Sequence, residues 1–249
     1  MVIKAVIFDL DGTAVQPRLG ASPSTEVINA VHKASKLTQV TCATGRSKAT
    51  ALRIIKDLGI IRPCILSGGT EIYDPVTDSI IWQQYINHND LALISKCADN
   101  LLIKLFFDEE FPESIINFQL NKNDVKIIYA KNLSKEAATK FFDSIKDIQE
   151  MSISIVPSWE TDKFDAHITH RLATKKFATQ KLLEILGVKK EFVLAIGDSD
   201  NDLHLFEACG NKVAMGTATK ALISKADYIA PSVSEDGLAW VLNKFVITN

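Results

Sequence analysis

No C-x-x-C pair, no histidine at zinc-ligand spacing and no apolar run long enough to span a membrane occurs in this chain of 249 residues. The cysteines Cys42, Cys64, Cys97 and Cys209 are scattered. That spacing excludes a disulfide framework and a zinc-finger ligand set. Cys42 and Cys64 fall inside apolar strand-like runs, where a small buried thiol is the ordinary expectation. Charge of one sign is also missing: the net charge is −2, which gives no warrant for a nucleic-acid or anionic-membrane partner. The lysines between Lys122 and Lys140 are diluted by acids and do not alter that. Internal repeats and low-complexity tracts are lacking. The chain opens on a strand-like run rather than on a basic segment with a signal-like apolar stretch, so the expected compartment is a reducing cytoplasm. The length leaves room for one large domain or two modest ones.

What is present is a series of short apolar runs that end in polar turns. Val2 to Phe8 is rich in Val and Ile and breaks off at Asp9-Leu10-Asp11-Gly12-Thr13, as a buried strand would. Ser22-Pro23 reads as an N-cap followed by proline at the first helical position, opening a helix with Val27, Ile28 and Val31. Leu37 to Ala43 is a second strand, ending in Thr44-Gly45-Arg46. Ser47 then caps a helix whose Ala51, Leu52, Ile55 and Leu58 recur at helical spacing, with Gly59 as its stop. Pro63 to Leu66 is a third strand, ending in Ser67-Gly68-Gly69-Thr70. Strands alternating with helices predict a parallel sheet with right-handed crossovers. Glu71 to Trp82 reads as a hairpin about Asp74-Pro75.

The texture changes between residues 87 and 170. Helices (Asp90 to Leu101, Ser134 to Ile148) are interspersed with strand-like pieces (Ile103 to Phe107, Val125 to Tyr129, Ser152 to Val156, Phe164 to Thr169). This is the pattern of an α+β module with an antiparallel sheet. The α/β texture resumes with a helix carrying Leu182, Leu183 and Leu186, and the strand Phe192 to Ile196 runs into Gly197-Asp198-Ser199-Asp200-Asn201-Asp202. The expected organisation is an α/β core over 1–86 and 171–249, interrupted by an inserted α+β domain over 87–170.

Open α/β sheets bind ligands beyond the carboxyl ends of their strands. If the polar turns share one edge, Asp9, Asp11, Asp198 and Asp202 crowd one small site. Each like-charge pair at ~4 Å costs on the order of 4 kcal/mol at an effective dielectric near 20. An all-oxygen carboxylate cluster is what Mg²⁺ prefers. A lysine at position 175 or 176, the Thr44 hydroxyl and the helix N-terminus near Ser47 would suit a phosphate. Extended chain places Asp9 and Asp11 on one side. Asp9, ionised at an ordinary carboxylate pKa near ~3.9, could attack a screened phosphorus directly. Asp11 could then protonate the leaving oxygen and later deprotonate water. His167 and His170 are read as cap packing in preference to a metal pair, and Trp82, Trp159 and Trp240 as packing residues, with a sugar-stacking role conceivable for Trp159.

Together, D-L-D-G-T at Asp9, T-G-R at Thr44, a lysine before a core helix and G-D-S-D-N-D at Gly197 resemble the four motifs of the haloacid dehalogenase superfamily. With an α+β insert between the second and third motifs, the order resembles the type IIB capped phosphatases, which include Cof-like and sucrose-phosphate phosphatases. The resemblance implies a Rossmann-like parallel-sheet core with an inserted α+β cap that closes over the site. It implies a Mg²⁺-dependent phosphatase that hydrolyses a small phosphorylated metabolite, a sugar phosphate first, through an aspartyl phosphate. Asp9 is then nucleophile and Asp11 general acid/base. Thr44, Gly45, Arg46 and Lys175 hold the phosphoryl group, with pairing to an acidic group as the alternative for Arg46. Asp9, the Asp11 backbone carbonyl and Asp198 hold the metal, and Asn201 and Asp202 support the metal and the lysine.

The chain departs from the family pattern in Lys175-Lys176, where relatives carry Lys-Gly; counting back from Leu186-Gly187 favours Lys175. Two alternatives stand beside the phosphatase: a sugar phosphomutase, since phosphomannomutases resemble this core and cap, and a phospho-receiver that keeps its aspartyl phosphate as a signal, against which the inserted cap argues.

Overall fold

The computed structural model describes residues 2–18, 20–108, 125–158 and 160–248. Trp159 and Lys122, considered above, lie outside the described residues. The chain divides into two compact units, Met1–Trp82 with Lys175–Asn249, and Gln83–Thr174.

The first unit begins with β1 (Ala5–Phe8), α1 (Thr25–Ala34), β2 (Gln39–Cys42), α2 (Lys48–Asp57), β3 (Cys64–Leu66), β4 (Glu71–Asp74) and β5 (Ser79–Gln83). The second contains α3 (His88–Asn100), β6 (Leu105–Phe107), β7 (Ile127–Leu133), α4 (Lys135–Ile145), β8 (Met151–Pro157) and β9 (Phe164–His170). The first unit resumes with α5 (Lys175–Leu186), β10 (Val193–Gly197), α6 (Leu203–Ala208), β11 (Asn211–Ala214), α7 (Lys220–Ile223), β12 (Tyr228–Ile229) and α8 (Gly237–Leu242).

The core sheet has the order β12-β11-β10-β1-β2, and its strands are parallel throughout. Its strands read as unbroken apolar runs because both faces are covered. Val6, Phe8, Leu194 and Ile196 point into a cluster with α1, α2 and α8. Ala5, Ile7, Val193 and Ala195 point the other way, into a cluster with Ala178 and Leu182 of α5 and Leu205 and Phe206 of α6. Phe8 lies opposite both Ile196 and Cys42. The next residues along the three strands, Asp9, Gly197 and Ala43, therefore leave the sheet in one row, with Asp198 and Thr44 following.

The third strand departs from the expected parallel order. Cys64, Ile65 and Leu66 pair antiparallel with Tyr73, Ile72 and Glu71, in a small sheet of order β3-β4-β5. The Ala43–Ile65 bridge continues the parallel pairing before the chain turns back at Ser67 and supplies its own partner. The cap of α1 is also displaced. Ser24, not Ser22, accepts from the Val27 N–H, since the Ser22 hydroxyl is taken by the Arg53 guanidinium.

In the second unit the sheet order is β6-β7-β9-β8, antiparallel at every pairing. Alternate residues Ile128, Ala130, Ala166 and Ile168 join Ile94 of α3 and Phe141 of α4 in one core. His167 and His170 stand three residues apart on β9, so a strand's period of two puts them on opposite faces. His167 meets the Tyr129 ring edge-on at 5.0 Å, whereas His170 Nδ1 accepts from the Leu172 N–H. They do not form a metal pair.

Candidate active site

Asp9 continues the alternation of β1 onto the α5 face, and the first residue of α5 is Lys175. Lys175, Ala178, Thr179 and Leu182 form the buried stripe of that helix, at the i, i+3, i+4 and i+7 spacing of a core-facing side. The Lys175 side chain is consequently carried inward, where it is 2% exposed. Its Nζ donates to Asp9 Oδ1 at 2.6 Å, to Asp202 Oδ1 at 2.6 Å and to Asn201 Oδ1 at 3.3 Å. Lys176, one position on, points outward and pairs with Glu207. Of the two lysines left open by the sequence, the structure brings Lys175 to the acids.

Asp202 is a brace. Its second oxygen accepts from the main-chain N–H groups of Asp198 and Ser199 at 3.0 and 3.2 Å, while its first holds Lys175. A Cβ at Gly197 would lie 2.6 Å from that carboxylate, so the packing of Asp202 onto β10 requires glycine there. Asp198 accepts from the Thr13 hydroxyl, a contact between the last residue of D-L-D-G-T and the end of β10. Gly12 adopts a φ of +75°, and a Cβ there would collide with the Asp198 carboxylate. The turn after β1 is thereby closed down onto the end of β10.

Carboxylate oxygens of Asp9, Asp198 and Asp202 lie within 4.8 Å of one another. Burial pushes Asp9 up to about 8; Lys175 opposes this, and Asp202 and Asp198 add to it. Burial thus works against the ionised form that attack on phosphorus requires, and Lys175 works for it. Asp198 is raised to about 6, again by burial first and Asp202 next. Burial acts to lower Lys175, but Asp202 and Asp9 together outweigh it and hold the ammonium protonated. Crowded hard-oxygen donors with raised pKa values are short of positive charge, and a divalent cation of the Mg²⁺ type fits that donor set.

Asp11 goes elsewhere. The extended chain that would put it beside Asp9 ends at Leu10, whose carbonyl accepts from the N–H groups of Thr13, Ala14 and Val15. The Asp11 carboxylate faces Arg46, which donates from Nη2 to Oδ1 at 2.6 Å and from Nε to Oδ2 at 2.8 Å. Of the two partners open to Arg46, substrate or acid, the structure shows the acid, and the third member of the carboxylate group is Asp202 rather than Asp11. Thr44 is fully buried, and its hydroxyl accepts from the Arg46 N–H. Gly45 follows it with open space where a side chain would stand. Ser47 occupies the N-cap of α2 without capping through its side chain. A hydroxyl, an open glycine and an uncapped helix start thus follow β2, next in the row to Asp9.

The turn after β3 backs this loop. Ser67 N–H donates to the Arg46 carbonyl and Gly68 N–H to the Thr44 carbonyl. Ser67 holds a φ of +49°, a left-handed conformation that favours glycine. The Ser67 hydroxyl donates to Glu71, which is itself buried.

Residues 6–242 match the family model of the haloacid dehalogenase-like hydrolases. The chain is 24% identical to a 5-amino-6-(5-phospho-D-ribitylamino)uracil phosphatase of Bacillus subtilis, over 96% of each protein. It is 42% identical to phosphoglycolate phosphatase 1 of Saccharolobus solfataricus, over 33% of this chain and 36% of that one. A phosphatase of the HAD enzyme superfamily from Bacteroides thetaiotaomicron superposes with a TM-score of 0.82 at 20% identity, covering 99% of this chain and 96% of that one.

Proposed function

The chain belongs to the haloacid dehalogenase-like hydrolases, and from that premise we propose that it is a Mg²⁺-dependent phosphatase acting on a small phosphorylated metabolite, with a sugar phosphate as the leading substrate. The observation that carries this reading is the buried junction of Lys175 with Asp9 and Asp202 beside Asp198. Such a junction holds one carboxylate ready at a strand end and keeps cationic charge against it. The relatives named above act on phosphoglycolate and on a phosphoribityl compound, both alkyl phosphate monoesters, and that chemistry supports the same class here.

An alkyl phosphate has two difficulties: its oxygens repel a nucleophile, and its leaving alkoxide is a poor one. Lys175, the Thr44 hydroxyl and the N–H groups opening α2 address the first by binding the phosphoryl oxygens. Asp9, Asp198 and the Asp11 carbonyl would hold a Mg²⁺ ion, which supplies further charge screening and favours the ionised form of Asp9. An Asp9 carboxylate oxygen attacks phosphorus as the ester P–O bond breaks, and Asp11 gives its proton to the departing oxygen. In the second step Asp11 takes a proton from water as the water oxygen bonds to phosphorus. Asp9 and inorganic phosphate are released. Asp202 and Asn201 keep Lys175 aimed throughout.

The test is phosphate release from a panel of pentose, hexose and three-carbon phosphates with Mg²⁺ and with EDTA, using wild type and Asp9→Asn. Multiple turnovers with Mg²⁺, none with EDTA and none by Asp9→Asn are the expected result. Isomerisation of a hexose phosphate without phosphate release would replace the hydrolase reading by a mutase.

A further inference from the structure

We propose that Arg46 is a positioning residue that aims the Asp11 carboxyl, and not a clamp on the substrate phosphoryl group. The inference rests on the reading of Asp11 as the proton donor and acceptor.

Its first support is the form of the contact. Nε and Nη2 of Arg46 each reach a different Asp11 oxygen, at 2.8 and 2.6 Å. This two-point fork fixes the plane of the carboxylate as well as its distance, which a lysine's point charge cannot do. Among the described residues, Arg46 is the only side chain that hydrogen-bonds the Asp11 carboxyl. The Asp11 side chain is 35% exposed, so without the fork two rotatable bonds would let it turn into solvent.

A second support is how firmly Arg46 itself is held. Nη1 donates to the Thr50 carbonyl at 3.4 Å and Nη2 to the Arg18 carbonyl at 3.3 Å, tying the guanidinium to the first turn of α2 and to the loop after β1. Its own N–H is engaged by the Thr44 hydroxyl and its carbonyl by the Ser67 N–H. A side chain 12% exposed and anchored on both α2 and the segment after β1 is built to stay. Nε and Nη2 are both engaged on the acid that must protonate the substrate. Lys175 already provides a cation at the nucleophile.

The two roles predict different losses. A proton donor matters for a leaving alkoxide and hardly at all for p-nitrophenolate, whose conjugate acid is already strong. Arg46→Ala should therefore lower kcat/KM for an alkyl phosphate by about 100-fold, within the range removed with a general acid. For p-nitrophenyl phosphate the loss should be less than about 10-fold, and the Kd of inorganic phosphate with Mg²⁺, read by calorimetry, should move less than about threefold. Because kcat/KM reports only the steps through formation of the aspartyl phosphate, slow hydrolysis of that species does not mask the contrast. Arg46→Lys, which keeps the charge and the bulk, should show the same leaving-group contrast. It also decides the matter if Arg46→Ala does not fold. Equal losses on both esters with a weakened phosphate Kd would make Arg46 a clamp and overturn the proposal, as would wild-type behaviour of Arg46→Lys on the alkyl ester. Asp11→Asn run in parallel separates the two levels. If it shows no leaving-group contrast, the role given to Asp11 falls; if it shows the contrast and neither Arg46 variant does, the positioning role falls alone.

Discussion

Two carboxylates leave the turn after β1 two residues apart, Asp9 toward a lysine from α5 and Asp11 toward an arginine from the loop before α2, and their closest ion-pair distances are equal at 2.6 Å. Their surroundings differ. The side chains of Asp9 and Lys175 are 6% and 2% exposed, those of Asp11 and Arg46 35% and 12%. Coulomb attraction at a fixed distance scales inversely with dielectric, so a pair in an effective medium near ~20 is held about four times more strongly than one in water. The contrast assigns different work to neighbouring copies of one residue type. The dry pocket suits a nucleophile that must not wander or solvate. The half-open site suits a group that exchanges protons with a leaving oxygen and with water.

Truncation of the buried lysine should have the largest effect. Lys175→Ala leaves Asp9 and Asp202 buried without their shared cation, a class of change that costs about 3–5 kcal/mol. Urea denaturation at neutral pH measures it, and turnover should be lost with it. Asp11→Ala, at the half-open pair, should cost within about 1 kcal/mol. Equal stability losses would mean that the two environments do not differ as their exposure implies.

Next in size is a pH effect confined to the dry side. Asp9 and Asp198 are raised to about 8 and about 6 in the folded protein, against a reference value of 3.8. Over the window from about pH 4 to pH 8 the unfolded chain therefore gives up protons that the folded one keeps. Stability without metal falls as pH rises through that window. Divalent cations bind the ionised carboxylates, so the gain in Tm on adding Mg²⁺ should be larger at pH 8 than at pH 5. Differential scanning fluorimetry in EDTA and in excess Mg²⁺ measures both. A Mg²⁺ gain independent of pH would detach the metal from these acids, and Asp9→Asn should flatten the metal-free slope.

Much of this site could be read from the chain because sheet register does the assembling. Apolar runs that stop at Phe8, Cys42 and Ile196 lie opposite one another once paired in parallel, and the polar residues after each stop must then converge. The partners chosen within the turns were not legible. Three N–H groups folding onto the Leu10 carbonyl separate Asp11 from Asp9, a choice made by local backbone geometry that D-L-D-G-T shares with any extended reading. T-G-R announces a cation after a strand, but whether that cation meets substrate or acid depends on where Thr50 and Arg18 present their carbonyls. The antiparallel pairing of the third strand was not legible for a related reason: its partner, Glu71 to Tyr73, lies a few residues ahead in the same chain, and a local hairpin competes well with a long parallel crossover.

The smallest effect expected is at Lys176, and it tests the same contrast within a single helix. Lys175 and Lys176 differ by one position, about 100° around the helix axis, which separates the buried stripe of α5 from its solvent side. Lys176 pairs with Glu207, and the two side chains are 37% and 53% exposed. Solvent screening limits such a pair to about 0.5 kcal/mol, and the cation that meets Asp9 and Asp202 is that of Lys175. Lys176→Ala should change the urea midpoint by little and leave kcat and KM for the preferred phosphate ester within about twofold of wild type. A loss approaching that of Lys175→Ala would mean that α5 is rotated by one residue in solution. The buried junction would then be built on the wrong lysine.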